Sequence, residues 1–285
     1  MNNQIKSGVR SKQILQLLYQ NGPLSISGIG KLISPTMSER RIQDAVKRLM
    51  KKELIISRDD SLPKNAAHHY QIGQSKKARC EISSILNIPP DALFQHHFRS
   101  QDMKHSEFCA LWANTLGKLI PNANIVREHE FFTNALAKKT LDGMLNDREL
   151  RPDLLLLIPK SSGKGFVKVA IEVERNPKKH ERLKFKLKNF ASLSLFDGVL
   201  YVCSNDYIVE ALRKVYHTNV LPKVSRISHY GNHFLTFSGI DQWCVQSEPK
   251  TFTSELRNIS LKNWINVLAT TNPLDRRDRI FEVQP

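Results

Sequence analysis

Cysteine is scarce in this chain and scattered. The 285 residues hold four, Cys80, Cys109, Cys203 and Cys244, and no two form a Cys-x-x-Cys pair. That spacing argues against a zinc ribbon and more strongly against a disulfide framework. Cys109 and Cys203 sit among apolar neighbours and are expected in a core. Histidine offers no metal motif either. The doublets His68-His69 and His96-His97 lack ligand spacing, and neither His105 nor His129 has a nearby partner in sequence. No apolar run approaches the roughly 20 residues of a membrane span, and the opening Met1-Asn-Asn-Gln-Ile-Lys carries no apolar signal segment. The expectation is a cytoplasmic protein without a membrane partner. Internal repeats and low-complexity tracts are missing too.

Acidic residues are the minority: 27 Asp and Glu against 43 Lys and Arg leave a formal charge of +16. A balance that basic points to a polyanionic partner, and without a membrane segment nucleic acid is the better fit. Hydrophobic residues make up 40 %, and the length suits two domains.

The first 86 residues read as three short helices and a hairpin. Ile14, Leu15, Leu17 and Leu18 give the apolar side of a helix over 11–19, which Asn21-Gly22-Pro23 stops. Ser27 is placed to cap a second helix with Ile29, Leu32 and Ile33. Ser38 is placed to cap a third, whose Ile42, Ala45, Val46 and Leu49 have inward spacing. The outer face of that third helix carries Arg40, Arg41, Lys47, Arg48 and Lys51. Strands are expected at Leu54-Ile-Ile56 and His69-Tyr-Gln-Ile72, with the polar stretch 58–68 as the hairpin tip. This is the pattern of a winged helix-turn-helix, in which the third helix enters a major groove and the wing follows the backbone. Arg40 and Arg41 are candidates for base or phosphate contact, and Lys47 and Lys64 for phosphate contact. The plainer alternative is a small helical domain that binds another protein; the charge favours DNA.

A helix over 75–86 ends at Ile88-Pro89-Pro90, so residues 87–104 are expected to link the first domain to a second spanning 105–285. A helix over 105–119 and a strand over 124–132 open that second domain. Glu107 on the helix, and Glu130 on the strand beside Glu128, are weighed as further acidic ligands, with an ordinary surface role as the plainer reading.

The most informative stretch is Val167-Lys-Val-Ala-Ile-Glu-Val-Glu174. In a strand its side chains alternate. Val167, Val169, Ile171 and Val173 belong on a core, while Lys168, Ala170, Glu172 and Glu174 share the other face. Two carboxylates held side by side repel unless a cation or a proton comes between them. Asp153 opens its own apolar run, Leu154-Leu-Leu-Leu-Ile158, so it can reach the edge of a neighbouring strand. An Asp and a Glu converging from adjacent strands suit a hard divalent ion such as Mg²⁺ or Mn²⁺. A solvated sheet edge and an ordinary Pro-Asp turn are the plainer readings of each motif taken singly.

A basic helix follows. Between Arg175 and Lys188 there are seven Lys or Arg and one acid, Glu181, enough charge to grip a phosphate backbone. Pro177 suits its first turn. Leu183, Leu187 and Phe190 share one face, with Lys186 at its flank. Gly198-Val-Leu-Tyr-Val-Cys203 reads as a buried strand, with a helix over 207–216 after it. The expected class is therefore α+β, with a mixed sheet covered by helices in the second domain.

Asp153 followed by Ile171-Glu172-Val173-Glu174 resembles the core of the PD-(D/E)XK nuclease superfamily over residues 124–217. That resemblance implies a restriction-endonuclease-like sheet, a metal held by Asp153 and Glu172, and DNA cleavage. Glu174 stands where the superfamily has Lys. Either Glu174 itself serves, or the Lys has moved to the next helix, where Lys186 is best placed and Lys178 second. The whole layout is similar to the replication-relaxation family of plasmids and to MobC-class mobilization relaxases. It comprises a winged helix, a linker with His105, Arg151-Pro152-Asp153, the Glu-x-Glu strand, then Lys186 and, four residues on, Phe190, the last where Tyr is more usual.

The resemblance implies a magnesium-dependent nickase acting on double-stranded DNA at a plasmid or mobile-element transfer origin. A coupling protein or accessory mobilization protein is an implied partner. Lys178 and Lys184 would contact the DNA backbone. Better-known relaxases use a tyrosine and three histidines; that histidine cluster is missing here, and Tyr201, Tyr207 and Tyr216 fit core or helix-face roles. Two alternatives stay open: a non-catalytic plasmid replication or transcription regulator, and a restriction or transposition endonuclease. In the last part, Phe234-Leu-Thr-Phe237 is a candidate strand, Trp243, Phe252 and Trp264-Ile-Asn-Val-Leu268 suggest a small apolar cover or a partner-binding helix, and residues 275–279 a solvated tail.

Overall fold

The computed structural model describes residues 2–34, 36–58, 68–94, 103–147, 150–176, 178–192, 195–220, 232–236, 252–253 and 258–259. The chain is α+β and divides into two compact units, residues 1–114 and 115–285. Among the described residues no helix is long and apolar enough to cross a membrane. Lys64, residues 95–102 of the expected linker, Pro177, Trp243, Trp264 and residues 275–279 lie outside the described residues.

The first unit holds α1 (Asn2–Asn21), α2 (Ile26–Ile33), α3 (Glu39–Lys51), α4 (Lys76–Leu86) and α5 (Pro90–Phe94). Three short strands, β1 (Leu24–Ser25), β2 (Ile55–Ser57) and β3 (His69–Ile72), form an antiparallel sheet in the order β1-β3-β2. The helical stripes behave as their spacing dictates. Ile14, Leu15 and Leu18 of α1 pack with Ile29 of α2 and with Ile42, Ala45, Val46 and Leu49 of α3. Helix α3 therefore turns Arg40, Arg41, Lys47, Arg48 and Lys51 outward, all exposed.

Two caps differ from expectation. Ser25, not Ser27, caps α2, its hydroxyl accepting from the Gly28 N–H at 3.0 Å. Ser38 precedes α3 without a side-chain cap bond. Ser75 does cap α4, accepting from the Ala78 N–H at 3.1 Å.

Helix α6 (Met103–Leu119) begins in the first unit and ends in the second. The division thus falls between residues 114 and 115 of this helix, later than the expected start at residue 105, because its first turns complete the first core. Ala110 is part of that core. Glu107 accepts from the Ser25 N–H at 2.6 Å and the Ser25 hydroxyl at 3.0 Å, and lies 3.6 Å from His69 Nε2. Glu107 is therefore a structural acceptor for the α2 cap and the β1–β3 pair. Gly28 has to be glycine for the same reason: a Cβ there would lie 2.5 Å from the Glu107 carboxyl carbon.

The second unit is built on a five-stranded sheet in the order β4-β5-β6-β7-β8. The strands are β4 (Asn124–Arg127), β5 (Leu154–Pro159), β6 (Phe166–Glu174), β7 (Gly198–Cys203) and β8 (Asn232–Thr236). β4–β5 and β5–β6 pair antiparallel; β6–β7 and β7–β8 pair parallel. Parallel pairs need crossovers, supplied by α8 (His180–Ser192) and α9 (Asp206–Val215), while α7 (Ala135–Thr140) precedes β5. A two-residue pair, β9 (Phe252–Thr253) with β10 (Asn258–Ile259), completes the strands described.

The first strand is shorter than expected: after Arg127 the chain turns through a 3-10 turn, Glu128–Glu130, because the Glu130 carboxylate accepts from the Arg127 N–H at 2.9 Å. Both faces of the sheet are buried. Leu154, Leu156, Val169, Ile171, Val173, Leu200 and Val202 fill one. Leu155, Leu157, Ala170, Val199, Tyr201 and Cys203 fill the other, against Leu183, Leu187 and Phe190 of α8 and Ile208, Val209 and Leu212 of α9. The acid-bearing face of β6 is thus a core face too, not a solvated edge.

Gly28→Ala should lower the stability of the first unit by about 1–3 kcal/mol through the forced clash. Glu107→Ala should do the same by stranding the Ser25 donors. Chemical denaturation of the two variants checks both.

Candidate functional site

Register brings the acidic residues together. Leu154 stands opposite Ile171, so the next pair along the ladder sets Asp153 opposite Glu172. The Asp153 Oδ2 accepts from the Val173 N–H at 2.7 Å, which pins the start of β5 to the end of β6. On the other side Glu172 faces Tyr201 and Glu174 faces Cys203 across the parallel ladder. One end of one sheet face therefore carries Asp153, Glu172 and Glu174, as alternation along the strand requires.

Glu172 is 0 % exposed and Glu174 1 %. A buried carboxylate costs several kcal/mol unless its charge is met, and the segment after the strand meets both. Lys186 faces inward from α8, where the apolar stripe Leu183, Leu187, Phe190 leaves a position at its seam, and its Nζ donates to Glu172 Oε2. The same Nζ lies 6.0 Å from the centroid of the Phe190 ring. Lys178, ahead of α8, donates to Glu174 Oε1 at 2.5 Å.

Each carboxylate has one oxygen left over. Glu172 Oε1 and Glu174 Oε2 are buried without a hydrogen-bond partner among the described residues. Hard oxygen donors in this state fit a divalent cation of the magnesium class. Asp153, Glu172 and Glu174 are the side chains that could hold one.

Burial pushes the Glu172 carboxyl up to about 8; the Lys186 ammonium opposes this, and Asp153 and Glu174 add to it. Burial works to lower Lys186, but the negative charge of Glu172, Asp153 and Glu174 outweighs it and holds the ammonium above its ordinary range. The Tyr201 hydroxyl and the Cys203 thiol are both pushed up by burial and by the neighbouring carboxylates, so both stay protonated. Neither is a nucleophile in this state. Tyr216 is also fully buried, whereas Tyr207 is 70 % exposed.

The expected site residues thus separate into groups. Asp153, Glu172, Glu174 and Lys186 come together. Lys178, expected at the DNA backbone, is instead tied to Glu174. Lys184 lies on the outward side of α8, 3.4 Å from Glu181. Glu130 caps the turn after β4 and lies 3.6 Å from Arg127, and Glu128 lies 3.6 Å from Arg151; neither is gathered with the three carboxylates by these contacts. In the first unit Arg40, Arg41 and Lys47 are exposed on α3 as expected.

The Lys178–Glu174 pair and the Tyr201–Glu172 adjacency were missed from sequence. The four-residue spacing of Lys178 from Glu174 was a usable signal. Tyr201 depends on a parallel register that no local pattern reveals. Compared with protein-family models, with curated proteins and with solved structures, the chain has no match.

A carboxyl raised in the folded state contributes stability that is present below its ordinary range and lost as pH rises through the folded value. Wild type should therefore lose melting temperature relative to Glu172→Gln as pH rises from mildly acidic through about 8. Parallel melting curves across that range would refute this assignment.

Proposed function

We propose that this chain is a metal-dependent DNA nickase of the relaxase type, acting at a transfer origin of mobile DNA. In this reading the first unit is a winged helix-turn-helix and the second a PD-(D/E)XK nuclease domain. One observation carries the chemistry: three carboxylates and a buried lysine share one end of a sheet face, and the two buried carboxylates each keep an unsatisfied oxygen. The exposed cations of α3 support the DNA-binding part, because a helix presenting Arg40, Arg41, Lys47, Arg48 and Lys51 on one side matches a phosphate-lined groove. The transfer-origin assignment rests on the resemblance alone.

Asp153 and Glu172 would hold a Mg²⁺ or Mn²⁺ ion. Such an ion, when bound, supplies charge neutralisation at the phosphate and makes water a nucleophile near neutral pH. The remaining roles belong to the protein. Asp153, fixed by the Val173 N–H, sets the position of one carboxylate against the strand end. Lys186 is placed to offset negative charge developing on the phosphate. Glu174, with an oxygen to spare, is placed to accept a proton or to complete the ligand set.

A second reading has its own observation. Glu172 and Glu174 each already have an ammonium partner, so the site is largely neutralised from within, as a non-catalytic DNA-binding regulator would tolerate.

Incubating supercoiled plasmid carrying the cognate region with Mg²⁺ or Mn²⁺ separates them. Open circles are expected from wild type, none from Asp153→Ala or Glu172→Ala, and a rate reduced about 10²–10³-fold from Lys186→Met. Linear product would indicate a double-strand endonuclease. Binding without cleavage by wild type would favour the regulator. In a gel shift, Arg40→Ala and Arg41→Ala should each weaken DNA binding about tenfold with the second unit untouched.

A further inference from the structure

We propose that the groove between α1 and α2 of the first unit is a docking site for an acidic amphipathic helix of another protein. The proposal goes beyond the nuclease reading and does not depend on it. No residue of the groove belongs to the carboxylate site or to the exposed cations of α3.

Helix α1 has two working faces. Ile14, Leu15 and Leu18 turn into the first core. Val9, Lys12, Gln13, Gln16 and Leu17 lie at the i, i+3, i+4, i+7, i+8 spacing that puts residues on one side of a helix. With Leu32 and Ile33, from the last turn of α2, they line a groove of about 410 Å³. Val9 is 56 % exposed. Leu17, Leu32 and Ile33 are only partly buried against the core. Apolar side chains gathered on one surface, and not scattered singly, mark a place where a partner excludes water.

The length of the groove suits a helix. Its α1 side runs from Val9 to Leu17, about 12 Å at 1.5 Å per residue. The furrow between two packed helices is where a third helix seats a ridge of side chains. A guest of two to three turns would set apolar residues at i, i+3 or i+4, and i+7 against Val9, Leu17, Leu32 and Ile33.

Charge selects among the possible occupants. Lys12 is the one charged side chain among the lining residues, and it is exposed beside Gln13. Residues 1–38 hold Lys6, Arg10, Lys12 and Lys31 and no Asp or Glu. A guest helix with carboxylates flanking its apolar stripe complements that field. A second copy does not, because a twofold interface sets a patch against itself and here would oppose two acid-free helices of like charge. DNA matches the charge but not the floor: the side chains of Val9, Leu17, Leu32 and Ile33 offer a phosphate no hydrogen bond.

Fluorescence anisotropy with the full chain tests this. The probe is a fluorescein-labelled synthetic helix of about 16 residues, with Leu at i, i+3, i+4, i+7 and i+11 and Glu at the flanking positions. A twin peptide carries Lys for every Glu. The glutamate peptide should bind one to one, and the lysine twin at least about tenfold more weakly. Val9→Asp puts a charge on the floor and should weaken the glutamate peptide on the order of tenfold. Lys12→Glu reverses the rim charge and should weaken it about fivefold. Both positions are exposed, so both variants should melt like wild type. Lys164→Glu makes the same change of net charge at an exposed turn of the second unit and should leave peptide affinity unchanged. No binding of the glutamate peptide, equal affinity for the twin, or full retention by Val9→Asp and Lys12→Glu would overturn the proposal. So would a dimer of the full chain that Val9→Asp dissociates, which would put a second copy in the groove. Displacement of the peptide by duplex DNA, with duplex binding lost in Lys12→Glu but not in Lys164→Glu, would make the groove a nucleic-acid surface and overturn it as well.

Discussion

The second unit depends on the burial of two carboxylates in a sheet face that also has to be a core face. Glu172 and Glu174 alternate with Ile171 and Val173, so the strand that buries one set presents the other to α8 and α9. Once there, each needs a cation within reach. Lys178 and Lys186 provide them from the segment directly after the strand. That fixes where α8 starts, which side of it faces the sheet and why its seam position is a lysine. A buried ion pair is poor value as pure stabilisation, since apolar residues of similar volume often do as well or better. Two such pairs side by side, each with a carboxylate oxygen unsatisfied, are more economically explained by a task than by the fold.

Much of this was legible in the sequence where periodicity was strong. Val167 to Glu174 and Gly198 to Cys203 read as strands because apolar β-formers are bounded by breakers, and β6 and β7 follow them within a residue. The outward cations of α3 and the seam position of Lys186 came from helical spacing. What stayed hidden was tertiary. The apolar face of β6 could be read as buried, but the burial of its acidic face could not, because only packed helices make it so. Glu107 looked like a spare ligand on a helix near the sheet. Its partners, Ser25 and His69, lie far away in sequence, so no local pattern could assign it to the first core. Ser27 looked like a cap because it precedes Ile29; the β1 strand takes Leu24 and Ser25 and moves the cap two residues back.

The charge of the chain also needs to be divided by place. A run of seven Lys and Arg after the strand suggests a single phosphate-gripping helix. Two of them, Lys178 and Lys186, are directed at carboxylates, and Lys184 lies beside Glu181. The exposed cations of α3 outnumber the exposed acids of that helix, Glu39 and Asp44, by five to two. The two segments therefore place basic residues differently: α3 turns its cations outward, whereas after β6 two of the seven, Lys178 and Lys186, are paired with buried carboxylates.

Under the proposed nuclease reading, that balance bears on position 174, where the Glu-x-Lys pattern would have a lysine. Replacing that lysine with Glu174 adds one negative charge and removes one positive charge at the strand end. Lys178 and Lys186 restore both. With all three ionised, the carboxylates against two ammonium groups leave one negative charge, the same remainder as two carboxylates against one lysine. Under that reading the departure would keep the net charge of the site, with the positive charges on the segment after the strand instead of on the strand. The Glu172 carboxyl is raised to about 8 by burial, so near neutral pH a proton can occupy the place that a divalent ion would otherwise take.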